Sequence, residues 1–463
     1  MARLTERPQT GPPAAAPTAD ARTAAAPTAD ARTAAAPTAD ARTAVTTAAP
    51  ARASRLPRTF DSFRDREFRW FYLAMLGQMA SMNMQMVVRG YLAYVLTGSY
   101  AALGLIALAG AVPTLGLSVF GGVMADRMSK RTVLQIGQAL SLANAAVLAA
   151  LSFTGLMRIE WLLLSALAQG AVMALTMPSR QSMIPDIVGM DRMMNAVSLN
   201  MAGMNSMRMF APALGGFIIA TAGFGWAFAT MAALYGVALV TLAKVTWQPA
   251  VSPGKAGQSI GQVGRSAVAD IVDGVRYIAR TRVMAALLSL SFISSIFGMP
   301  YQFLLPGYVA DIFAGGGTEV GLLMSISAVG SLAGALVLAS MPNRKRGWML
   351  LGGTMVLAGG LVLFAQTPNY WIAAAFIVPV GIGSSFRQAL SQGLLHANVA
   401  NEYRGRVMSV FMMQMSVMQL STFFVGVAAE FLGIRVALAG LGVGLALSTA
   451  AFAIFVPSVR KLD

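Results

Sequence analysis

The chain has 463 residues, of which 56% are hydrophobic and only 11% charged, a balance that excludes an ordinary water-soluble domain and makes lipid its solvent. A net charge of +16 would suit a nucleic-acid partner in a soluble protein, but the Lys and Arg residues gather in alternate loops between apolar runs, the pattern of cytoplasmic membrane-protein loops. With no cysteine, the chain has neither a disulfide framework nor a thiolate metal site.

Residues 1–57 carry AAAPTADART three times in tandem and show no apolar periodicity, which predicts a disordered tail. That tail lacks the continuous apolar core of a secretory signal. Apolar runs then follow at 69–96, 101–124, 132–154, 159–178, 194–221 and 225–246, and again at 283–308, 320–341, 347–366, 370–388, 406–432 and 434–456. About 20 residues at 1.5 Å rise cross a hydrocarbon core roughly 30 Å thick, so each run is a spanning helix. The prediction is an all-α membrane protein with twelve transmembrane helices in two six-helix halves, 58–248 and 283–463.

Basic residues mark one set of loops: Arg127, Lys130 and Arg131; Arg180 and Arg192; Arg344, Lys345 and Arg346; Arg387, Arg404 and Arg406. The opposite loops offer only Arg158 and Arg435. This asymmetry puts both termini in the cytoplasm of a bacterial cell, with the chain crossing the inner membrane many times. Between the halves, 249–282 opens with Ser-Pro-Gly-Lys and continues with Val268, Ile271, Val272, Val275 and Ile278 at helical spacing, as expected of a cytoplasmic linker with an amphipathic interfacial helix.

A short internal repeat supports the duplication. Pro178-Ser-Arg180-Gln181-Ser-Met has its counterpart in Ser385-Phe-Arg387-Gln388-Ala-Leu, each pair predicted at the cytoplasmic end of the fourth helix of its half.

Between the second and third runs stands Gly122-Val-Met-Ala-Asp126-Arg127-Met-Ser-Lys130-Arg131. Glycine permits close helix approach, and a carboxylate suits the positive N-terminal end of a helix. The segment resembles the signature of the major facilitator superfamily. That resemblance implies that Asp126 faces a helix of the other half beginning near Arg406, and that Gly122, Arg127, Lys130 and Arg131 complete a cytoplasmic gate for alternating access. The equivalent loop of the second half keeps a basic cluster, Arg344-Lys-Arg346, without an acid.

The fifth helix holds Arg208-Met-Phe-Ala211-Pro212-Ala-Leu-Gly215-Gly216, which is similar to the antiporter motif of the superfamily. Pro212 is expected to kink the helix, and Gly215 with Gly216 to let it pack closely. Gln169-Gly170 matches the drug-antiporter pattern, but Ala166 stands where that pattern has arginine. Together with Asn195-Ala-Val-Ser-Leu-Asn200, these motifs resemble the branch that contains the enterobactin exporter and macrolide efflux proteins.

Polar side chains inside membrane helices are costly and mark function. The candidates for the substrate pathway are Gln78, Asn83, Gln85 and Arg89, then Asn200, Asn205 and Arg208, and finally Gln302, Gln414 and Gln419. Arg208 is too deep to reach water easily and calls for a buried partner or an anionic substrate, whereas Arg89 lies where snorkelling to the outer boundary competes with a pathway role. No carboxylate is predicted at mid-membrane, since Asp311 and Glu430 fall near the outer helix ends. Methionine totals 31, concentrated in the first, fifth and eleventh helices, where thioethers suit large apolar ligands or a soft ion such as Cu(I). No catalytic constellation, resident metal site or cofactor site is present in the sequence, and His396 is the sole histidine.

The expected function is secondary active export of a small siderophore-like or drug-like organic molecule by alternating access, with protons as the candidate coupling ion and an antiporter as the candidate type. The competing reading is uptake of Cu(I) or a small solute through the same fold. The expected partners are the substrate and the lipid bilayer, with no nucleic acid, and the chain is expected to be a monomer.

Overall fold

The computed structural model describes residues 62–246, 272–342, 344–460 and 462, and the backbone alone at 118–127, 181, 182, 184–186, 190 and 191. The predicted tail and most of the predicted linker lie outside the described residues, as do the side chains of Asp126 and Arg127. Every described element is helical.

The first run becomes α1 (Arg66–Thr97), started by the Asp65 carboxylate accepting from the Glu67 amide and ended by Gly98 in the left-handed region. It is followed by α2 (Tyr100–Arg127), α3 (Lys130–Phe153), α4 (Ile159–Ala222) and α5 (Phe224–Ala243). After a helical stretch at 272–280 come α6 (Arg282–Gly298), α7 (Tyr301–Phe313), α8 (Gly317–Ser340), α9 (Arg346–Gln366) and α10 (Tyr370–Asn398). The chain closes with α11 (Arg404–Met412), α12 (Gln414–Leu432), α13 (Ile434–Phe455) and the short α14 (Pro457–Arg460).

Several predicted boundaries are corrected. The expected loop between the fourth and fifth helices is instead a single turn at Gly189 (φ 68°), so that 159–222 is one helical tract with two arms. Only glycine enters that backbone region without a steric penalty. Arg180 therefore lies inside the first arm rather than in a loop. Arg387 likewise lies inside α10, 4% exposed and eleven residues before its last residue, Asn398. Both helices outrun the apolar runs that announced them, because a polar residue ends a hydropathy run without ending a helix. The predicted seventh and eleventh helices are each broken in two, at Met299–Pro300 and at Met413.

Among the described residues, ten spans are long and apolar enough to cross a membrane, with α6 and α7 counted together and α11 and α12 counted together. Two further helices, α1 and the second arm of α4, have spanning length but carry the Asn, Gln and Arg residues that dilute their apolar character. In lipid there is little hydrophobic drive between helices, so close packing and hydrogen bonds must join them. The second arm of α4 meets α8 where Gly216 faces the Gly317 carbonyl and Gly321 the Pro212 carbonyl, and a methyl group at either glycine would overlap the opposing backbone.

Candidate functional site

The polar side of α1 is held against α4 and α5. Arg180 Nη1 donates to Gln78 Oε1 at 3.3 Å, and Arg180 Nη2 lies 2.8 Å from Met177 Sδ. The Ser81 hydroxyl donates to the Met231 carbonyl at 3.2 Å, and Gly77 packs on the Leu234 carbonyl. This register sets Tyr235 beside Gln78. Tyr235 lies eleven residues from the start and eight from the end of α5, roughly 12–17 Å from each at 1.5 Å per residue, which is near mid-membrane. A small, mostly apolar cavity of about 10 Å³, close to the size of one water, is lined in part by Gln78, Gln138 and Arg180.

The second arm of α4 runs parallel to α1. Gly203 packs on Tyr72 and Gly215 on Met84, an offset of 131 residues at both contacts. The same offset puts Arg208 level with Gly77 and Gln78, in the layer of Arg180 and Tyr235. From the other side, Arg387 lies within electrostatic reach of Tyr301 and Arg208. Its Nε is buried without a hydrogen-bond partner. Arg89 and Arg180 are both within electrostatic reach of Tyr235, whose hydroxyl is also buried and unpartnered, as is Arg89 Nη1. Arg89 thus turns a nitrogen inward instead of snorkelling. Two arrangements result, Arg89–Tyr235–Arg180 and Arg208–Arg387–Tyr301, and among the described residues no carboxylate pairs with any of the four guanidinium groups.

The other predicted pathway residues are more scattered. Gln85 is buried at 3% exposure, and Asn83 donates to its own helix at the Met79 carbonyl, 2.7 Å away. Asn200 donates toward Met204 Sδ at 3.6 Å, and Asn205 is exposed. Gln302 Nε2 approaches the Tyr301 hydroxyl at 3.4 Å, whereas Gln414 Oε1 accepts from Ser295 at 2.9 Å. Gln419 is half-buried in α12. The methionines divide: Met75, Met79, Met84 and Met418 are buried, and Met201, Met412, Met413 and Met415 are exposed.

At the predicted gate, α2 reaches Arg127, and Ser129 caps α3 by accepting from the Thr132 amide at 3.1 Å. The backbone of Gly122 is helical. Lys130 is half-buried, and Arg131 Nη2 donates to the carbonyl of Ala243, the last residue of α5, at 2.6 Å. A cation at a helix C-terminus satisfies its unpaired carbonyls and dipole. Pro212, Gly215 and Gly216 are all buried.

At the opposite end sits a cluster that the sequence reading did not join. Asp311 accepts from Tyr94 at 2.5 Å and from Tyr100 at 2.7 Å, while Glu430 accepts from the Ser99 hydroxyl and, at 3.1 Å, from the Ala101 amide. These partners are separated by more than two hundred residues, so no local pattern could have paired them.

The model of a family described as transmembrane secretion effectors matches residues 58–463. The chain is 26% identical over 349 residues to a staphyloferrin A transporter of Staphylococcus aureus, covering 74% of this chain and 84% of that one. It is 24% identical over 374 residues to a multidrug efflux pump of Mycolicibacterium fortuitum, covering 79% and 90%. To an enterobactin exporter of Shigella boydii it is 23% identical over 345 residues, covering 73% and 79%. The crystal structure of a bacterial homologue of the human lysosomal transporter Spinster, inward-facing and unoccupied, superposes with a TM-score of 0.67 at 15% identity, covering 88% of this chain and 98% of that one, and so shares the fold.

Proposed function

The chain belongs to the transmembrane secretion effector family of the major facilitator superfamily, and from that membership we propose that it exports a small organic molecule, siderophore-like or drug-like, by alternating access. Counting α1 and the second arm of α4 as crossings brings the ten apolar spans to twelve, divided into halves 58–248 and 283–463 by the linker at 249–282. The basic end that carries Lys130, Arg131, Arg344 and Arg346 is cytoplasmic on this reading, so the Tyr94–Asp311 end faces outward.

One observation carries the reading. Hydrogen bonds and glycine contacts join α1–α5 to α6–α13 between the arginine layer and the Tyr94–Asp311 end: Gly104 and Gly426 between α2 and α12, Gly216 and Gly321 between α4 and α8, and the Asp311 and Glu430 bonds. The bundle is joined at that end and charged in the middle, an arrangement that suits a transporter working by alternating access. Asp311 and Glu430 are the acceptors that hold that end together, and protons are the candidate coupling ion.

Efflux from cells stripped of their own pumps tests the direction: expression should lower the intracellular level of a siderophore or drug. A rise in cell-associated copper with no such efflux would instead support uptake. The gate is a further proposal. Asp126→Asn should slow export while leaving membrane insertion unchanged, and unaltered transport rates would remove Asp126 from the mechanism.

A further inference from the structure

We propose that the cargo is a small organic polyanion, with one acidic group for each of the arrangements Arg89–Tyr235–Arg180 and Arg208–Arg387–Tyr301; the inference rests on the export reading and deepens it. Three observations converge.

First, Arg180 and Arg208 share a layer, which Arg89, eleven residues beyond Gln78 in α1, reaches through Tyr235, and Arg387 through Arg208. Arg180 is bonded to Gln78, Arg208 is level with Gln78 by the register of α1 and α4, and Tyr235 stands at mid-helix beside them. Second, the layer has unused donors. Arg387 is 4% exposed, and its Nε, Arg89 Nη1 and the Tyr235 hydroxyl are all buried without a partner. Buried donors of this kind are rare, and each calls for a water, an ion or a ligand to complete it. Third, no counter-charge is built in. Among the described residues, no carboxylate forms an ion pair with Arg89, Arg180, Arg208 or Arg387.

Taking a guanidinium out of water without a counter-ion is strongly unfavourable, and Arg208 and Arg387 also repel one another. A carboxylate placed against a guanidinium fork makes two parallel charge-assisted hydrogen bonds, and a tyrosine hydroxyl can donate a third. A cargo with acidic groups at both ends would draw the two arrangements together by neutralising both. A neutral or cationic molecule would leave the layer as it is or worsen it. The repeat therefore has a chemical meaning: Arg180 and Arg387 are the same residue of the duplicated unit, each offering one cation to the cargo.

The test uses the full chain in nanodiscs of phosphatidylcholine at constant ionic strength, with benzene-1,3,5-tricarboxylate as the probe and its trimethyl ester and tetraphenylphosphonium as neutral and cationic controls. The tricarboxylate should raise the thermal midpoint and the controls should not. Binding should weaken by about tenfold or more in Arg387→Gln and in Arg180→Gln, the size of one lost charge-assisted contact. Arg387→Lys, which keeps the charge without the fork, should recover part of the loss, and the exposed Arg344→Gln should bind as the unaltered chain does. Binding of the ester or the cation in preference, or tricarboxylate binding indifferent to both arginines, would overturn the proposal. Phosphatidylglycerol that blocks the response, and whose own effect disappears in Arg387→Gln, would assign the layer to a lipid headgroup and overturn it as well. Efflux of neutral drugs with no anion binding would leave export standing and remove the polyanion. Anion binding accompanied by cellular accumulation would do the reverse.

Discussion

The two helical tracts that carry the repeated Arg-Gln pair share a plan and finish it differently. In α4, Arg180 is tethered, with Gln78 Oε1 at 3.3 Å and Met177 Sδ at 2.8 Å. In α10, Arg387 is more deeply covered, and its Nε has no partner. Past the arginine, α4 turns once at Gly189 and continues as helix to Ala222, whereas α10 stops at Asn398 and a short loop precedes α11. The same Arg-Gln pair stands in both tracts, but among the described residues only one of the two arginines has a side-chain hydrogen-bond partner. A buried cation left open is unfavourable in the empty protein and valuable in the loaded one.

The largest effect should therefore fall on the open arginine. Arg387→Gln is expected to reduce transport of an anionic cargo by about a hundredfold, from roughly 3 kcal/mol of lost pairing. It should raise the thermal midpoint of the empty protein, because an uncompensated charge is removed. Arg180→Gln should cost about tenfold in transport and should lower that midpoint, because Gln78 loses its donor at roughly 1 kcal/mol. Opposite signs in scanning calorimetry of the two variants would sharpen the comparison; the same sign would break it.

The smallest effect concerns the turns. Gly189→Ala forces a side chain into the left-handed region at about 1–2 kcal/mol and should lower the midpoint. One extra glycine after Asn401, in the counterpart loop, should leave it nearly unchanged. Equal sensitivity at both places would mean that the two connections are held in the same way.

Much of the fold was legible because lipid leaves few choices. A run of about 20 apolar residues must be a helix when no water can satisfy its backbone. The ends of those helices were less legible. Arg180 and Arg387 interrupt apolar runs and so resemble loop charges, yet their backbone hydrogen bonds continue as helix on both sides. The repeat itself was the available signal that they belong together. Arg208 was picked out from depth alone, by its distance from the helix start. The bonds from Tyr94 and Tyr100 to Asp311 depend on packing between helices remote in sequence, and no periodicity encodes them. Gln138, 3% exposed at the small cavity beside Arg180, was also missed, a lone glutamine in the otherwise ordinary apolar run of α3.

The central claim is that cargo at the arginine layer exchanges closure at the outer end for closure at the inner end. The chain has no cysteine, so spin labels can be placed without removing any. Leu96→Cys with Leu432→Cys flanks the outer junction, and Met194→Cys with Met412→Cys flanks the inner one, at positions that are all exposed. Electron-electron distance measurements should show a short outer distance in the empty protein. Saturating benzene-1,3,5-tricarboxylate should add a longer outer population and a shorter inner one. Distances that stay the same at both ends while the tricarboxylate is bound would contradict alternating access driven from this layer.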